Sequence, residues 1–291
     1  MDMIGNRKTA KLLERIADSG KIANAYLFLG PQGVGKFKAA MLFAKKMVGD
    51  KGGINPNLIL IGPEIEEKNG IVKKKDIKIE AIRDLQHKLS LTSAGGGYKA
   101  VVINEAERLN LTSQSALLKT LEEPNKKVVI ILVSHNEKKI LATIVSRCQK
   151  IKLGLMSESE IRINVGNIGD VEEIVFWSAG RAEMAHSFLI NAQELEYMRE
   201  AKKGFLLILG GSIGEKFALA ETWSKDVADL LKKMDIWMIF LRKAMLGEAR
   251  IKNLSASRAL RTIEEISTEI IKLRETNANA KLILENLFLK I

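Results

Sequence analysis

The stretch from residue 25 to residue 36 constrains this chain more than any other. It reads Ala-Tyr-Leu-Phe-Leu-Gly-Pro-Gln-Gly-Val-Gly-Lys. The first five residues are largely apolar and predict a buried strand. Gly30 opens a tight turn, and Lys36 begins an amphipathic helix. Gly30, four residues, then Gly35-Lys36 is the spacing of a phosphate-binding loop. Glycines at Gly30, Gly33 and Gly35 let backbone N–H groups converge on an anion, the helix N-terminus adds partial positive charge, and Lys36 adds a full one. The residue after the lysine should be Ser or Thr, whose hydroxyl holds Mg²⁺. It is Phe37, which has no oxygen to offer.

Strands alternating with helices fill the first half of the chain. Helical spacing runs over residues 6–19 and 37–48, followed by a short strand at 57–61. Residues 64–76 are polar around Asn69-Gly70 and predict an exposed hairpin. A helix at 79–91 leads through Gly95-Gly96-Gly97 to a strand at 99–104. A helix at 112–123, stopped by Pro124, precedes a strand at 128–133, a short helix or turn at 141–147 and a last strand at 149–153. This order predicts a parallel sheet covered on both faces. The loops after Leu29, Ile103 and Val133 then share one edge, where ligands bind in such sheets.

After residue 153 the alternation stops and helices take over. Ser157 with Glu160 is a capping-box pattern. Residues 174–178 and 182–189 read as helical, and from 194 onward helical patterning is continuous apart from Gly210-Gly211. Between 218 and 246, Val227, Leu230, Leu231, Met234, Trp237 and Met238 recur at helical spacing and predict helix–helix packing.

Composition narrows the function classes. The 291 residues are 46% hydrophobic and 28% charged, which is globular. No apolar run is long enough for a bilayer and the N-terminus has no signal-peptide pattern. One cysteine, Cys148, rules out an internal disulfide and a multi-cysteine zinc site. The expectation is a cytoplasmic chain without membrane partners. The net charge of +11 favours an acidic partner, most simply nucleic acid. Aromatics are 5% and none interleaves with the lysine pairs, so contacts would be to phosphates rather than stacked bases.

A second nucleotide-handling signal is Val101-Val102-Ile103-Asn104-Glu105. In ATPases built on such a loop, this apolar strand ends in an Asp that helps hold Mg²⁺, and the Glu after it activates water. Asn104 stands in the place of that Asp, and an amide oxygen is a poorer ligand for a hard cation. Glu105 remains. Two losses on one metal, Phe37 and Asn104, argue against hydrolysis. Ser134-His135-Asn136 ends the next strand, where a polar residue such as Ser134 would sense a phosphate; on spacing alone its turn-forming composition favours a plain loop start. Nothing in the sequence lowers the pKa of Cys148, so a buried thiol is expected.

These pieces, in this order, resemble the clamp-loader branch of the AAA+ ATPases. The resemblance rests on residues 25–28, the loop from Gly30 to Lys36, Ala106-Glu107-Arg108-Leu109, the Ala-Leu-Leu-Lys-Thr-Leu-Glu-Glu-Pro run at 116–124, and Ser146-Arg147-Cys148. Asn277-Ala278-Asn279 and residues 284–287 look like the end of the same family's C-terminal helical domain. Within the branch the chain is similar to the delta-prime family of bacterial DNA polymerase III subunits. That resemblance implies an α/β AAA+ P-loop core with a parallel sheet at 1–153, a small helical lid domain at 154–192, and an all-α C-terminal collar domain at 193–291. It implies a stator that joins motor (gamma/tau) and delta subunits in a hetero-oligomer, supports loading of the sliding clamp on primed DNA, and contacts that DNA through backbone phosphates.

Carried over by position, Arg147 is an arginine finger acting in trans on a neighbour's ATP, a role that contributes on the order of 10³–10⁵ in rate in other NTPases. The alternative is an ATP-hydrolysing gamma/tau-like motor subunit. Gly33, Gly35 and Lys36 suffice to hold the phosphates of ATP unless Phe37 or a neighbour fills the pocket; the expectation is no bound nucleotide, no metal and no zinc. The chain departs from the motor pattern in lacking their cysteine cluster, in Ser115 for an asparagine, and in having no clean equivalent of the lid-domain arginine, Arg181 following Gly180 directly.

Overall fold

The computed structural model describes residues 6–50, 55–68, 71–91, 97–123, 127–166, 170–251, 254–276 and 278–291. Asn69-Gly70, Gly95, Gly96, Pro124 and Asn277, which the sequence marks as hairpin turn, connection, helix stop and family text, lie outside the described residues.

In chain order the first elements are α1 (Arg7–Ser19), β1 (Ala25–Leu29), α2 (Lys36–Val48), β2 (Leu58–Ile61), β3 (Ile65–Lys68), β4 (Ile71–Lys74), α3 (Ile79–Ser90), β5 (Lys99–Ile103), α4 (Leu111–Glu122), β6 (Val128–Ser134), α5 (Ala142–Val145), β7 (Gln149–Lys152) and α6 (Glu158–Val165). Then follow α7 (Val171–Ser178), α8 (Ala182–Ile190), α9 (Ala192–Gly210), α10 (Ile213–Trp223), α11 (Val227–Met245), α12 (Ala256–Glu275) and α13 (Ala280–Lys290). The chain forms two compact units, one of Met1–Ile65, Lys74–Val171 and Gly180–His186, the other of Glu66–Lys73, Glu172–Ala179 and Ser187–Ile291.

The first unit is built on a parallel sheet in the order β2-β5-β6-β1-β7. Side chains alternate across a strand, and the alternation divides the core in two. Leu27, Leu29, Val101, Ile103, Ile130 and Leu132 pack with Ile82, Leu85, Leu117 and Ile144 from α3, α4 and α5. Tyr26, Phe28, Val102, Val129 and Ile131 pack with Leu13, Ala40 and Phe43 from α1 and α2. Both faces are therefore covered, as near-continuous apolar strands require. Some polar helix ends are satisfied by side chains. Buried Lys99 donates from Nζ to the carbonyls of Lys88 (2.7 Å) and Leu91 (2.5 Å) at the end of α3. The Ser157–Glu160 capping box forms as expected, and β3 pairs with β4 in the expected hairpin.

Apart from its share of β3 and β4, the second unit is helical. Its core is an aromatic cluster: Phe205 stacks on Trp237 at 5.4 Å between ring centroids, and Trp177, Trp223, Phe240 and Phe288 surround them. The buried Trp237 N–H donates to the Ala201 carbonyl at 3.0 Å. The stripe read across 218–246 buries Leu230, Leu231, Met234 and Trp237 as expected. It belongs mainly to α11, because the chain breaks after Trp223 and restarts with Asp226 as an N-cap accepting from the Asp229 N–H. The α/β class read from the sequence, with an all-α C-terminal region, is the class observed.

Candidate functional site

The phosphate loop follows β1 at the edge of the sheet where the strands end. Its shape depends on missing side chains. The Leu153 N–H donates to the Leu29 carbonyl at 2.8 Å, which brings the Leu153 carbonyl oxygen to 2.0 Å from where a Cβ on Gly30 would sit. Gly33 and Gly35 have φ of +81° and +88°, which L side chains rarely adopt. Gly35 directly precedes α2, so the helix dipole adds to the loop's N–H groups. Lys36 is 8% exposed, and its Nζ donates to the Pro31 carbonyl of its own loop at 2.6 Å. Burial pushes the Lys36 ammonium below its usual pKa, against the pull of the Glu183 and Glu107 carboxylates.

The segment opening α8 is laid against this loop. The Glu183 N–H donates to the Gly33 carbonyl at 2.9 Å. The Arg181 stem passes so close that a Cβ on Gly33 would meet its Cδ at 3.1 Å. The Met156 N–H donates to the Gly180 carbonyl at 2.8 Å and anchors the segment. Arg181, which spacing alone left without a role, is thus at the loop.

The side of the site that should hold a metal is altered at two residues, and a third is tied down. Phe37 is half-buried and packs against the Phe28–Phe43 cluster. Asn104 follows β5, its N–H bound to the Ile61 carbonyl at 2.8 Å. Glu105 has φ of +52° and a carboxylate engaged by Lys74 and by Arg108 Nε at 2.8 Å, while Arg108 Nη1 donates to the Lys74 carbonyl at 2.9 Å. Burial alone would raise the Glu105 pKa; the hydrogen bonds from Lys74 and Arg108 outweigh it and hold the carboxyl below its ordinary range. Among the described residues no group of three or more His, Cys, Asp or Glu is arranged for a metal. An aromatic ring, an amide and a carboxylate already committed to two cations do not make a donor set for Mg²⁺.

Ser134 is 1% exposed and its Oγ accepts from the Asn136 N–H at 3.0 Å. The neighbouring His135 places Nδ1 2.6 Å from Oε1 of Glu107, which stands on a 3₁₀ turn at Ala106–Arg108 after β5. Glu107 is 8% exposed. Sequence reasoning missed it: its only signal was a place in the family text at 106–109.

Arg147 lies elsewhere. It sits two residues before Gln149, which pairs with Tyr26 near the start of β1. The phosphate loop follows the far end of that strand. At roughly 3.3 Å per residue the length of β1 from Tyr26 to Gly30 alone is about 13 Å, so Arg147 is at the opposite edge of the sheet from its own chain's loop. Its Nη2 donates to Glu122 Oε1 at 2.8 Å and its Nη1 to the Thr143 carbonyl at 2.9 Å. Buried Gln114 holds the preceding segment, donating to the Leu109 (2.9 Å) and Lys139 (3.0 Å) carbonyls and accepting from the Leu141 N–H at 2.7 Å. Cys148 is half-buried beneath the same turn, and burial pushes its thiol up to about 11.

Residues 5–157 match the family model described as DNA polymerase III, delta subunit. The chain is 29% identical over 253 residues to DNA polymerase III subunit tau of Bacillus subtilis, an alignment covering 80% of this chain and 45% of that protein. It is 31% identical over 154 residues to subunit delta' of Pseudomonas aeruginosa, covering 47% of this chain and 45% of the relative. The chain thus spans less than half the length of these relatives. A solved gamma subunit-related protein from Thermotoga maritima has the same fold, with a TM-score of 0.60 at 18% identity and 97% of each chain covered. The RuvB branch-migration motor of Thermotoga maritima superposes with a TM-score of 0.51 at 17% identity, covering 96% of this chain and 87% of that one.

Proposed function

The chain belongs to the DNA polymerase III delta-subunit family, and from that premise we propose that it serves in a clamp loader as a delta-prime-like stator. In this reading it does not hydrolyse ATP. It joins motor and delta subunits in a hetero-oligomer and supplies Arg147 to a neighbour's ATP while the sliding clamp is loaded on primed DNA. The observation that carries the reading is the place of Arg147, exposed on the edge of the sheet remote from its own phosphate loop. An arginine there is of no use to nucleotide bound by its own chain, but it is available to a site on an adjoining subunit. Its planar, permanently charged guanidinium suits a phosphoryl oxygen.

The loop supports the same reading from the other side. It keeps Gly30, Gly33, Gly35 and Lys36, yet Phe37, Asn104 and the tethered Glu105 offer Mg²⁺ no adequate ligands. Arg181, close by, would add a positive group toward a phosphate rather than replace the metal. The net charge of +11 supports contacts to DNA phosphates.

A motor reading is favoured by the tau alignment, which covers more of the chain than the delta' alignment does. The two readings separate in a single assay of the purified chain at saturating Mg-ATP. The stator reading expects no turnover above background. Sustained hydrolysis by this chain alone, with contaminating ATPase excluded, overturns it.

A further inference from the structure

Glu107 is the least explained charged group in the first unit. It is 8% exposed, and neither of its carboxylate oxygens has a hydrogen bond of acceptable geometry among the described residues. The Nδ1 of His135 is 2.6 Å from Oε1, an ion pair only when the imidazole is protonated. A buried carboxylate without hydrogen bonds is costly unless a surrounding positive field compensates it.

Besides His135, the phosphate loop and its lysine stand on the same edge of the sheet. The sheet order sets β5, β6 and β1 side by side, so the residues after their ends lie along one edge. Glu107 follows β5, His135 follows β6, and the loop with Lys36 follows β1. The Glu107 carboxylate is close enough to Lys36 for its charge to act on the ammonium, as is that of Glu183. Glu183 is itself fixed to the loop through its N–H on the Gly33 carbonyl. The N-terminus of α2 and its lysine therefore share this edge of the sheet with Glu107 and Glu183.

We infer that Glu107, assisted by Glu183, is a resident counter-anion of the phosphate loop, so that polyphosphate is kept out by charge that the chain itself supplies. The inference rests on the stator reading for its context, but it is a statement about anion affinity and not about Arg147. It makes the inactive loop self-neutralised. Loss of metal ligands weakens Mg-ATP, while the internal carboxylates also disfavour the bare polyphosphate, which would bring further negative charge beside them.

The test is titration calorimetry on the full chain with ATP, and separately with inorganic triphosphate, in buffer containing EDTA. Glu107→Gln keeps the side chain's shape and removes its charge. It is expected to bind both anions about tenfold more tightly than the native chain. Adding Lys36→Met to that variant is expected to erase the gain. Equal or weaker binding by folded Glu107→Gln overturns the inference, as does a gain that survives Lys36→Met. Should Glu107→Gln not fold, the exposed Glu183→Gln carries the test, with an expected gain of about threefold; no gain there is equally fatal. A failed outcome leaves the ATPase assay and the Arg147 substitution untouched, so the stator reading stands or falls separately.

Discussion

Arg147 and Glu122 are joined across α4 and the turn before β7, with Nη2 donating to Oε1 at 2.8 Å. Both side chains are well exposed, so the pair contributes no more than about 1 kcal/mol to stability. The contact therefore holds the guanidinium without committing it, and in the proposed role a neighbour's phosphoryl oxygen exchanges for the carboxylate at small cost.

Replacing this arginine tests the proposed role directly. Arg147→Ala should leave the chain folded, with no more than about 1 kcal/mol of stability lost, and still able to assemble. The ATPase rate of the reconstituted complex should fall by about tenfold or more. Glu122→Gln, which only releases the side chain, should change the rate by less than about threefold. An unaltered rate in Arg147→Ala removes the finger.

Phe37→Thr restores the hydroxyl that the loop lacks, yet the single variant should show no ATPase activity. Asn104 still offers only an amide, and Glu105 remains held by Lys74 and Arg108. Losing a ring that packs against the Phe28–Phe43 cluster should also cost about 1–3 kcal/mol, since Phe37 is only partly buried. A phosphate-release assay and a urea titration of the same preparation check both halves. Measurable hydrolysis would mean that the defect at Asn104 matters less than its chemistry indicates.

Gly30→Ala should destabilise the first unit by about 3 kcal/mol, because the added methyl meets the Leu153 carbonyl oxygen at 2.0 Å. Neither atom belongs to a flexible side chain, so relief requires β1 and the segment after β7 to separate. Equilibrium denaturation followed by circular dichroism measures the loss. Gly35→Ala, with nothing within 4 Å of the new carbon, should cost less, through its φ of +88° alone.

Cys148 should be nearly inert in the native chain. With its thiol at about 11, roughly one molecule in a thousand carries a thiolate at pH 8, against about a quarter for an unperturbed cysteine. Modification by a disulfide reagent should accelerate by about 100-fold in urea. The folded state favours the neutral thiol, so its contribution is intact below the unfolded pKa near 8.5 and is lost as pH rises from there toward 11. Cys148→Ala should remove that part of the alkaline destabilisation when midpoints are compared at pH 8 and pH 10.

Near-neighbour spacing determined a great deal. The alternation of Tyr26 and Phe28 against Leu27 and Leu29 already implied two buried faces, and the glycines from Gly30 to Gly35 implied a loop of positive-φ turns. Ser157 with Glu160 announced its cap. Such features are local, because period, propensity and capping are settled by residues a few positions apart. What the tertiary structure alone decided is which charges meet. Lys36, Glu107, His135 and Glu183 are far apart in the chain and converge because β6 lies between β5 and β1 and because Gly180 packs α8 against the loop. The pinning of Glu105 by Lys74, the approach of Arg181 to Gly33, and the separation of Arg147 from its own loop have the same origin. Strand order and long-range packing set these distances. Electrostatic interaction falls with distance through space rather than along the chain, so no count of residues between these groups could have disclosed it.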